Sequence, residues 1–319
     1  MAWRRGVALR EEAERELRER ETPFLAPSAT VATPFERNLE VWRQLWRTLE
    51  RSDCVCVVVD ARWPSFYAND DLLEYVAALG KPVLVVNNKA DYLTQAQRDR
   101  WRDYWLRRFE GRDGGCVFFS ARTEQRRLDD EAKKAAAKGV QGSQGDQVPP
   151  FAAAEEEERR RSLAALAEEE ALPEVDPSRC VRPEELLAMG YRMALSRKKR
   201  DEATITLGMV GYPNVGKSSC VNALRGATRH GVGARAGVSA TPGKTKHLQT
   251  LRVGEKLELC DCPGLVFPSL VRNGAAELVC SGVVPLARAR DPLAAAELVL
   301  RRVPAASHQA KVVVNIDML

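Results

Sequence analysis

The sequence predicts an α/β domain built on a doubly wound, mostly parallel sheet. Three observations carry this: short valine-rich apolar runs at 55–60, 82–87, 116–119, 203–210 and 257–260; segments of helical periodicity between them; and a glycine-rich turn set between one such run and the helix after it. Strands that are apolar throughout belong in a sheet covered on both faces, and the intervening helices supply the cover. With 319 residues, 45% hydrophobic and 29% charged, the chain holds ample material for a packed core.

Taken in order, residues 1–32 are expected to be a charged, helical and partly disordered extension. At 33–53, Thr33 suits a helix N-cap, Pro34 the first helical position, and Glu36 completes a capping box. Phe35, Leu39, Trp42, Leu45, Trp46 and Leu49 then recur at helical spacing and form one stripe for packing on a sheet. Val55–Asp60 is a buried strand ending in Asp60-Ala61-Arg62. Asp70–Leu79 is a helix closed by Gly80, Pro82–Asn87 a second strand, Gln95–Phe109 a helix, and Cys116–Phe119 a third strand.

From Thr123 to about residue 202 the composition shifts to Gln/Gly-rich and Ala-rich stretches with glutamate runs at Glu155–Glu158 and Glu168–Glu170. This is read as an inserted linker, partly disordered and helical around 151–172. Residues 203–270 resume the strand–helix pattern. Residues 271–319 mix apolar and basic residues without a clear motif.

The net charge of +5 permits an anionic partner without requiring one. No signal peptide and no apolar run of the ~18 residues needed to span a bilayer is evident, so a soluble intracellular protein is expected. The eight cysteines, without a C-x-x-C pair and with three histidines, read as buried free thiols rather than a zinc site.

Four short motifs and one dipeptide carry the chemistry. Gly211-Tyr212-Pro213-Asn214-Val215-Gly216-Lys217-Ser218 is a G-x-x-x-x-G-K-S loop after an apolar strand and before a helix. Its backbone amides and the helix N-terminus suit phosphate, Lys217 would reach the β- and γ-phosphates, and Ser218 would ligate Mg²⁺. Gly211, Asn214, Val215, Gly216, Lys217, Ser218 and Ser219 are therefore the candidate phosphate-binding residues. Asp261-Cys262-Pro263-Gly264 at the end of a strand is D-x-x-G, with Asp261 holding Mg²⁺ through water and the Gly264 amide sensing the γ-phosphate. Between the two, Thr245, with Thr241 in reserve, would complete the metal shell. Asn88-Lys89-Ala90-Asp91 matches N-K-x-D. The Asp91 carboxylate can accept from guanine N1–H and the exocyclic amine, Asn88 would fix the loop, and the Lys89 stem would cover the base. Ser120-Ala121 matches the turn whose amides face the guanine carbonyl.

A standard GTPase runs phosphate loop, switch threonine, D-x-x-G, N-K-x-D, S-A. Here N-K-x-D and S-A come first, a cyclic rotation with the 123–202 insert closing the usual ends. A doubly wound sheet tolerates this because all five loops sit at the strands' carboxyl ends.

These motifs, together with the stretches at 33–53, 58–62, 88–98, 211–219, 238–250, 259–271 and 280–286, resemble the circularly permuted ribosome-assembly GTPases, and most of all their cytoplasmic large-subunit branch. The resemblance implies a partner-stimulated GTPase, cytoplasmic, acting late in maturation of the large ribosomal subunit. Its implied partners are GTP and GDP, the precursor subunit (rRNA and protein) and a nuclear-export adaptor released on hydrolysis, with no membrane span and no DNA. Lys217, Thr245, Gly264 and Asn214 are the implied catalytic group, Asn214 by analogy with an asparagine that holds K⁺ beside the phosphates. Leu265 stands where a catalytic glutamine sits in other GTPases, so slow intrinsic turnover is expected. The alternative is a nucleotide-binding placeholder on pre-ribosomes without useful turnover. The stretch 226–237 is longer and more basic than the family pattern, and the 271–319 segment is expected to be a truncated end.

Overall fold

The computed structural model describes residues 30–32, 34–139, 178–197, 204–226, 248–253, 256–268, 270–272, 274–289 and 291–302. The chain divides into two compact units, one of residues 39–238 with 243–264, the other of 1–38, 239–242 and 265–319.

The larger unit is built on a six-stranded sheet of β2 (Cys54–Asp60), β3 (Val83–Asn88), β4 (Gly114–Phe118), β5 (Ile205–Val210), β6 (Gln249–Arg252) and β7 (Leu257–Asp261). The order across the sheet is β4-β3-β2-β5-β7-β6. Five strands are parallel and β6 alone runs antiparallel, against β7. All seven residues of β2 and all six of β3 are buried, as the continuous apolar runs require of strands covered on both faces. β2 lies directly beside β5, with Cys54 opposite Leu207 and Val57 opposite Val210. The stretches before and after the insert thus form the two halves of one sheet, joined where β2 pairs with β5, and every parallel strand ends at the same edge.

The covering helices are α1 (Leu39–Arg51), the short α2 (Pro64–Tyr67), α3 (Asp70–Ala78), α4 (Gln95–Arg108), α5 (Ala121–Gly139), α6 (Pro183–Leu195) and α7 (Lys217–Leu224). Thr94 and Gln97 close a reciprocal capping box at the start of α4, and Asn69 caps α3 by accepting from Leu72 N–H. Gly80 takes φ 69 after α3, the left-handed stop expected there.

Three differences from the sequence expectation have physical causes. The helix expected from Pro34 begins at Leu39 instead. The Glu36 N–H instead donates to the Val266 carbonyl at 3.0 Å, and the Glu36 carboxylate accepts from Asn38 N–H at 2.8 Å. Thr33, the expected cap, lies outside the described residues.

Second, part of the stretch read as an inserted linker is folded. α5 runs on for 19 residues because Ser120 caps it, its Oγ accepting from Thr123 N–H at 3.2 Å. Arg127 then bonds Glu124 and Glu131 one turn away on either side. α6 starts with Pro183 at its first turn, Arg182 N–H donating to Glu185 at 2.7 Å. It buries Leu186, Leu187 and Ala194 and packs on β2, β5 and α7. The glutamate runs at 155–158 and 168–170 lie outside the described residues.

Third, elements appear that no pattern announced. β6 is a largely exposed edge strand, held by pairing with β7. In the smaller unit, β1 (Thr30–Ala32) pairs antiparallel with β8 (Leu270–Arg272). There α8 (Gly274–Cys280) packs on α9 (Pro292–Arg302) through Ala276, Ala295 and Leu298, with Arg302 paired to Glu277.

All eight cysteines are free thiols, six of them buried, and burial pushes Cys116 and Cys262 up to about 12. Among the described residues no helix is long and apolar enough to cross a membrane.

The carboxyl end of α1 is closed by a lysine from another element. Lys81 Nζ donates to the carbonyls of Leu49, Glu50 and Ser52 at 2.5, 2.6 and 2.6 Å. Those carbonyls have no partner inside the helix, and the helix dipole favours a cation there. Lys81→Met should cost about 1–2 kcal/mol in urea unfolding with the slope unchanged; an unaltered midpoint would show that water caps the helix equally well.

Candidate functional site

The loop from Gly211 to Ser218 joins β5 to α7. Its backbone needs glycine at two points. Gly211 has φ 145, and a Cβ there would lie 2.4 Å from the Val58 carbonyl of β2. Gly216 has φ 99, and its Cβ would lie 2.3 Å from Asn88 Nδ2. Asn214, between them, also holds positive φ, at 61. The loop therefore curls over the neighbouring strand end and turns into α7 at Lys217, with Ser218 and Ser219 in the first turn.

Lys217 is buried, and its Nζ donates to the Gly211 and Tyr212 carbonyls at 3.0 and 2.6 Å. Burial lowers its pKa against the opposing pull of Asp261. The loop thus holds a desolvated ammonium at its centre, where an anion with several oxygens offers better partners than carbonyls do.

Asp261 closes β7 and is fully buried. Its Oδ2 accepts from Ser218 Oγ at 2.8 Å, and its Oδ1 has no hydrogen-bond partner. Burial raises its pKa, opposed by Ser218 and Lys217. A buried carboxylate oxygen without a donor costs free energy unless a cation, directly or through its water, meets it. Ser218 and Asp261 fit Mg²⁺ by this test. Thr245 and Thr241, the candidates for the remaining side-chain ligand, lie outside the described residues. Gly264 packs where a Cβ would come within 2.8 Å of Pro213 Cα and 2.9 Å of Lys217 Nζ. The D-x-x-G backbone thus lies against the phosphate loop, as a γ-phosphate sensor must.

Asn88, at the end of β3, is buried and spans two loops. Its Nδ2 donates to the Val215 carbonyl at 2.8 Å, and its Oδ1 accepts from Ala121 N–H at 3.1 Å. Lys89 takes a left-handed φ of 65, and its Nζ donates to the Asn214 carbonyl at 2.8 Å. Asp91 is exposed, with Oδ1 accepting from Ser120 Oγ at 2.7 Å. Underneath, Asn87 fixes β3 to its neighbours, donating to the Val117 carbonyl and accepting from Trp105 Nε1, both at 3.0 Å. Asn88 and Lys89 thus bond the phosphate loop directly, Asn88 ties Ala121 to it, and Ser120 holds Asp91 beside them, although Asn88 and Val215 are 127 positions apart.

One residue of the site was not singled out from the sequence. Asp60, the last residue of β2, is buried and accepts from Lys89 Nζ at 2.8 Å and from Arg62 through both oxygens. Burial would raise its pKa, but Arg62 and Lys89 outweigh that and hold it below the ordinary aspartate value. Its signals were a charged residue ending an otherwise apolar strand and its place in the 58–62 stretch that carries the resemblance, neither of which gave it a role.

A parallel sheet that gathers a phosphate loop, D-x-x-G, N-K-x-D and S-A at one edge defines a P-loop GTPase domain. Residues 206–315 match the family described as 50S ribosome-binding GTPase. GTPase LSG1-1 of Arabidopsis thaliana is 38% identical over 320 residues, covering 100% of this chain and 52% of the relative. Large subunit GTPase 1 of Saccharomyces cerevisiae is 37% identical over 306 residues, and its Schizosaccharomyces pombe counterpart 38% over 309; each alignment covers 95% of this chain and 42% of the relative. The chain is thus similar to the large subunit GTPases, and over 206–315 it matches the ribosome-binding GTPase family. It spans about half the length of these curated relatives.

Proposed function

We propose that this chain binds GTP and GDP with Mg²⁺, hydrolyses GTP to GDP and phosphate, and acts in maturation of the large ribosomal subunit. One observation carries the nucleotide assignment: Asn88 bonds the phosphate loop and the S-A turn at once. The groups that read a base and those that grip phosphates therefore form one site. The ribosomal assignment is supported by the names of the relatives and by the family description.

In this reading the motif order is a circular permutation of the G domain. Thr245, or Thr241, completes the metal shell, and Asn214 carries K⁺ against the phosphates. Equal turnover in Na⁺ and K⁺ would remove the last point. Leu265 cannot orient water, so hydrolysis is slow until the pre-ribosomal particle stimulates it, in the cytoplasm, and releases an export adaptor. The same leucine supports the second reading, a placeholder without turnover; no hydrolysis even with large subunits and K⁺ would favour it.

The test is equilibrium binding of fluorescent GDP in Mg²⁺, competed by GTP and ATP. GTP should displace it and ATP should not, even at a hundredfold excess. Equal competition by ATP would overturn the guanine assignment.

A further inference from the structure

We propose that Asp60 is a positioning residue for guanine recognition, one buried carboxylate that braces the Lys89–Tyr92 loop from both ends and so sets the geometry of Asp91. The inference rests on the assignment of Asn88–Asp91 as the guanine site.

Each link is in the structure. Asp60 is 1% exposed. Its Oδ1 accepts from Arg62 N–H at 3.0 Å and Arg62 Nε at 2.9 Å, and its Oδ2 from an Arg62 terminal nitrogen at 2.7 Å and Lys89 Nζ at 2.8 Å. One end of the brace is therefore direct. Lys89 sits in a backbone conformation that side chains rarely adopt, and it persists there because Asp60 and the Asn214 carbonyl both hold its ammonium. The other end runs through Arg62. The Arg62 guanidinium lies 5.3 Å over the Tyr92 ring, and the Tyr92 hydroxyl accepts from Arg122 at 2.9 Å. Asp91 lies between these two fixed residues, held on its own account by Ser120 Oγ at 2.7 Å.

The charges explain why a carboxylate is needed. Lys89 and Arg62 are two cations converging on one strand end, and Asp60 is the anion both of them bond there. An amide of the same shape would keep the two bonds made to one oxygen and face the other two with a donor. Arg62 and Lys89, which its carboxylate bonds, lie in the loops at the sheet's carboxyl edge, not in the strand ladder. Its loss should therefore appear in nucleotide kinetics rather than in the stability of the sheet.

The experiment is stopped-flow release of fluorescent GDP and of fluorescent IDP, which lacks the exocyclic amine that Asp91 reads. It compares wild type, Asp60→Asn, Arg62→Gln, Lys89→Met and the Asp60→Asn/Lys89→Met double variant. Asp60→Asn and Lys89→Met should each speed GDP release about tenfold, the scale of one charge-assisted hydrogen bond. The double variant should be little worse than either, because both cut the same link. The preference for GDP over IDP should narrow in Asp60→Asn, a change that a merely structural role would not produce. Arg62→Gln, at a half-exposed position that leaves the core intact, should speed release roughly threefold and narrow the same preference.

Unchanged release and unchanged GDP preference in Asp60→Asn and Arg62→Gln would overturn the inference, as would fully additive effects in the double variant. If Asp60→Asn fails to fold, Arg62→Gln decides by the same two readouts. Asp91→Asn with xanthine diphosphate, run alongside, separates the two levels. If it gains xanthine while Asp60→Asn is silent, only the brace falls; if wild type does not prefer guanine, the site assignment falls with it.

Discussion

Asp91→Asn should cost the chain about a hundredfold or more in GTP affinity while raising its affinity for XTP. The carboxylate stands exposed at the mouth of the site, oriented by Ser120, where it can accept from guanine N1–H and the exocyclic amine together. Each bond is charge-assisted, of about 1.5–3 kcal/mol, so losing the pair costs a factor of about 100 or more. An amide in the same place offers one donor and one acceptor, which suits the xanthine edge with its carbonyl in place of the amine. Competition of GTP and XTP against fluorescent GDP, or XDP for the variant, measures both arms. A uniform loss of all purine nucleotides would mean that Asp91 supports the loop rather than reading the base.

A second large effect is expected at Asp261, with opposite signs in the free and bound protein. This carboxylate is buried with one oxygen unpaired, and its pKa is raised because burial outweighs the help of Ser218 and Lys217. Asp261→Asn should therefore stabilise the nucleotide-free chain by about 1–2 kcal/mol at pH 7. The sign with pH follows from the raised value. The folded chain holds its proton to higher pH than the unfolded chain, so the penalty is full at neutral pH. It fades as pH falls through the folded pKa and is gone below the ordinary aspartate range. The gap in Tm between variant and wild type should close on acidification. With saturating Mg²⁺ and GDP the order should reverse, because wild type gains about 2.7 kcal/mol at a hundredfold excess over Kd and the variant gains little. A variant less stable than wild type without nucleotide, or one stabilised equally by Mg²⁺ and GDP, would rule out Asp261 as a metal-holding group.

The parts of this molecule legible in the sequence are those where local pattern and burial agree. The five parallel strands are apolar because both faces are covered, and the phosphate loop needs glycine where Val58 and Asn88 crowd its backbone. Residues 88–91 were readable because a buried strand leads directly into them. Other features depend on partners distant in the chain. Thr33-Pro34 with Glu36 carries a helix-start signal, yet Glu36 bonds the Val266 backbone and the helix waits until Leu39. α5 shares the charged, alanine-rich composition of a linker because much of its surface is solvated, and α6 shows its core role only against β2 and β5. β6 has no alternation because both its faces are largely exposed. Asp60 is one letter in a strand end until Lys89 arrives from 29 positions away.

The placement of β2 beside β5 has a consequence for the birth of the protein. Synthesis delivers the proposed base-reading loops first, on β2, β3 and β4, whose pairings are between successive strands. The phosphate loop emerges only after the long intervening stretch, and β5 must then find β2 across it. Such distant parallel pairing is the slow part of assembling a sheet. A nascent chain that has made only its first half holds the proposed base-reading loops without the phosphate loop. In the proposed reading, nucleotide capture must therefore wait until β5 has joined β2.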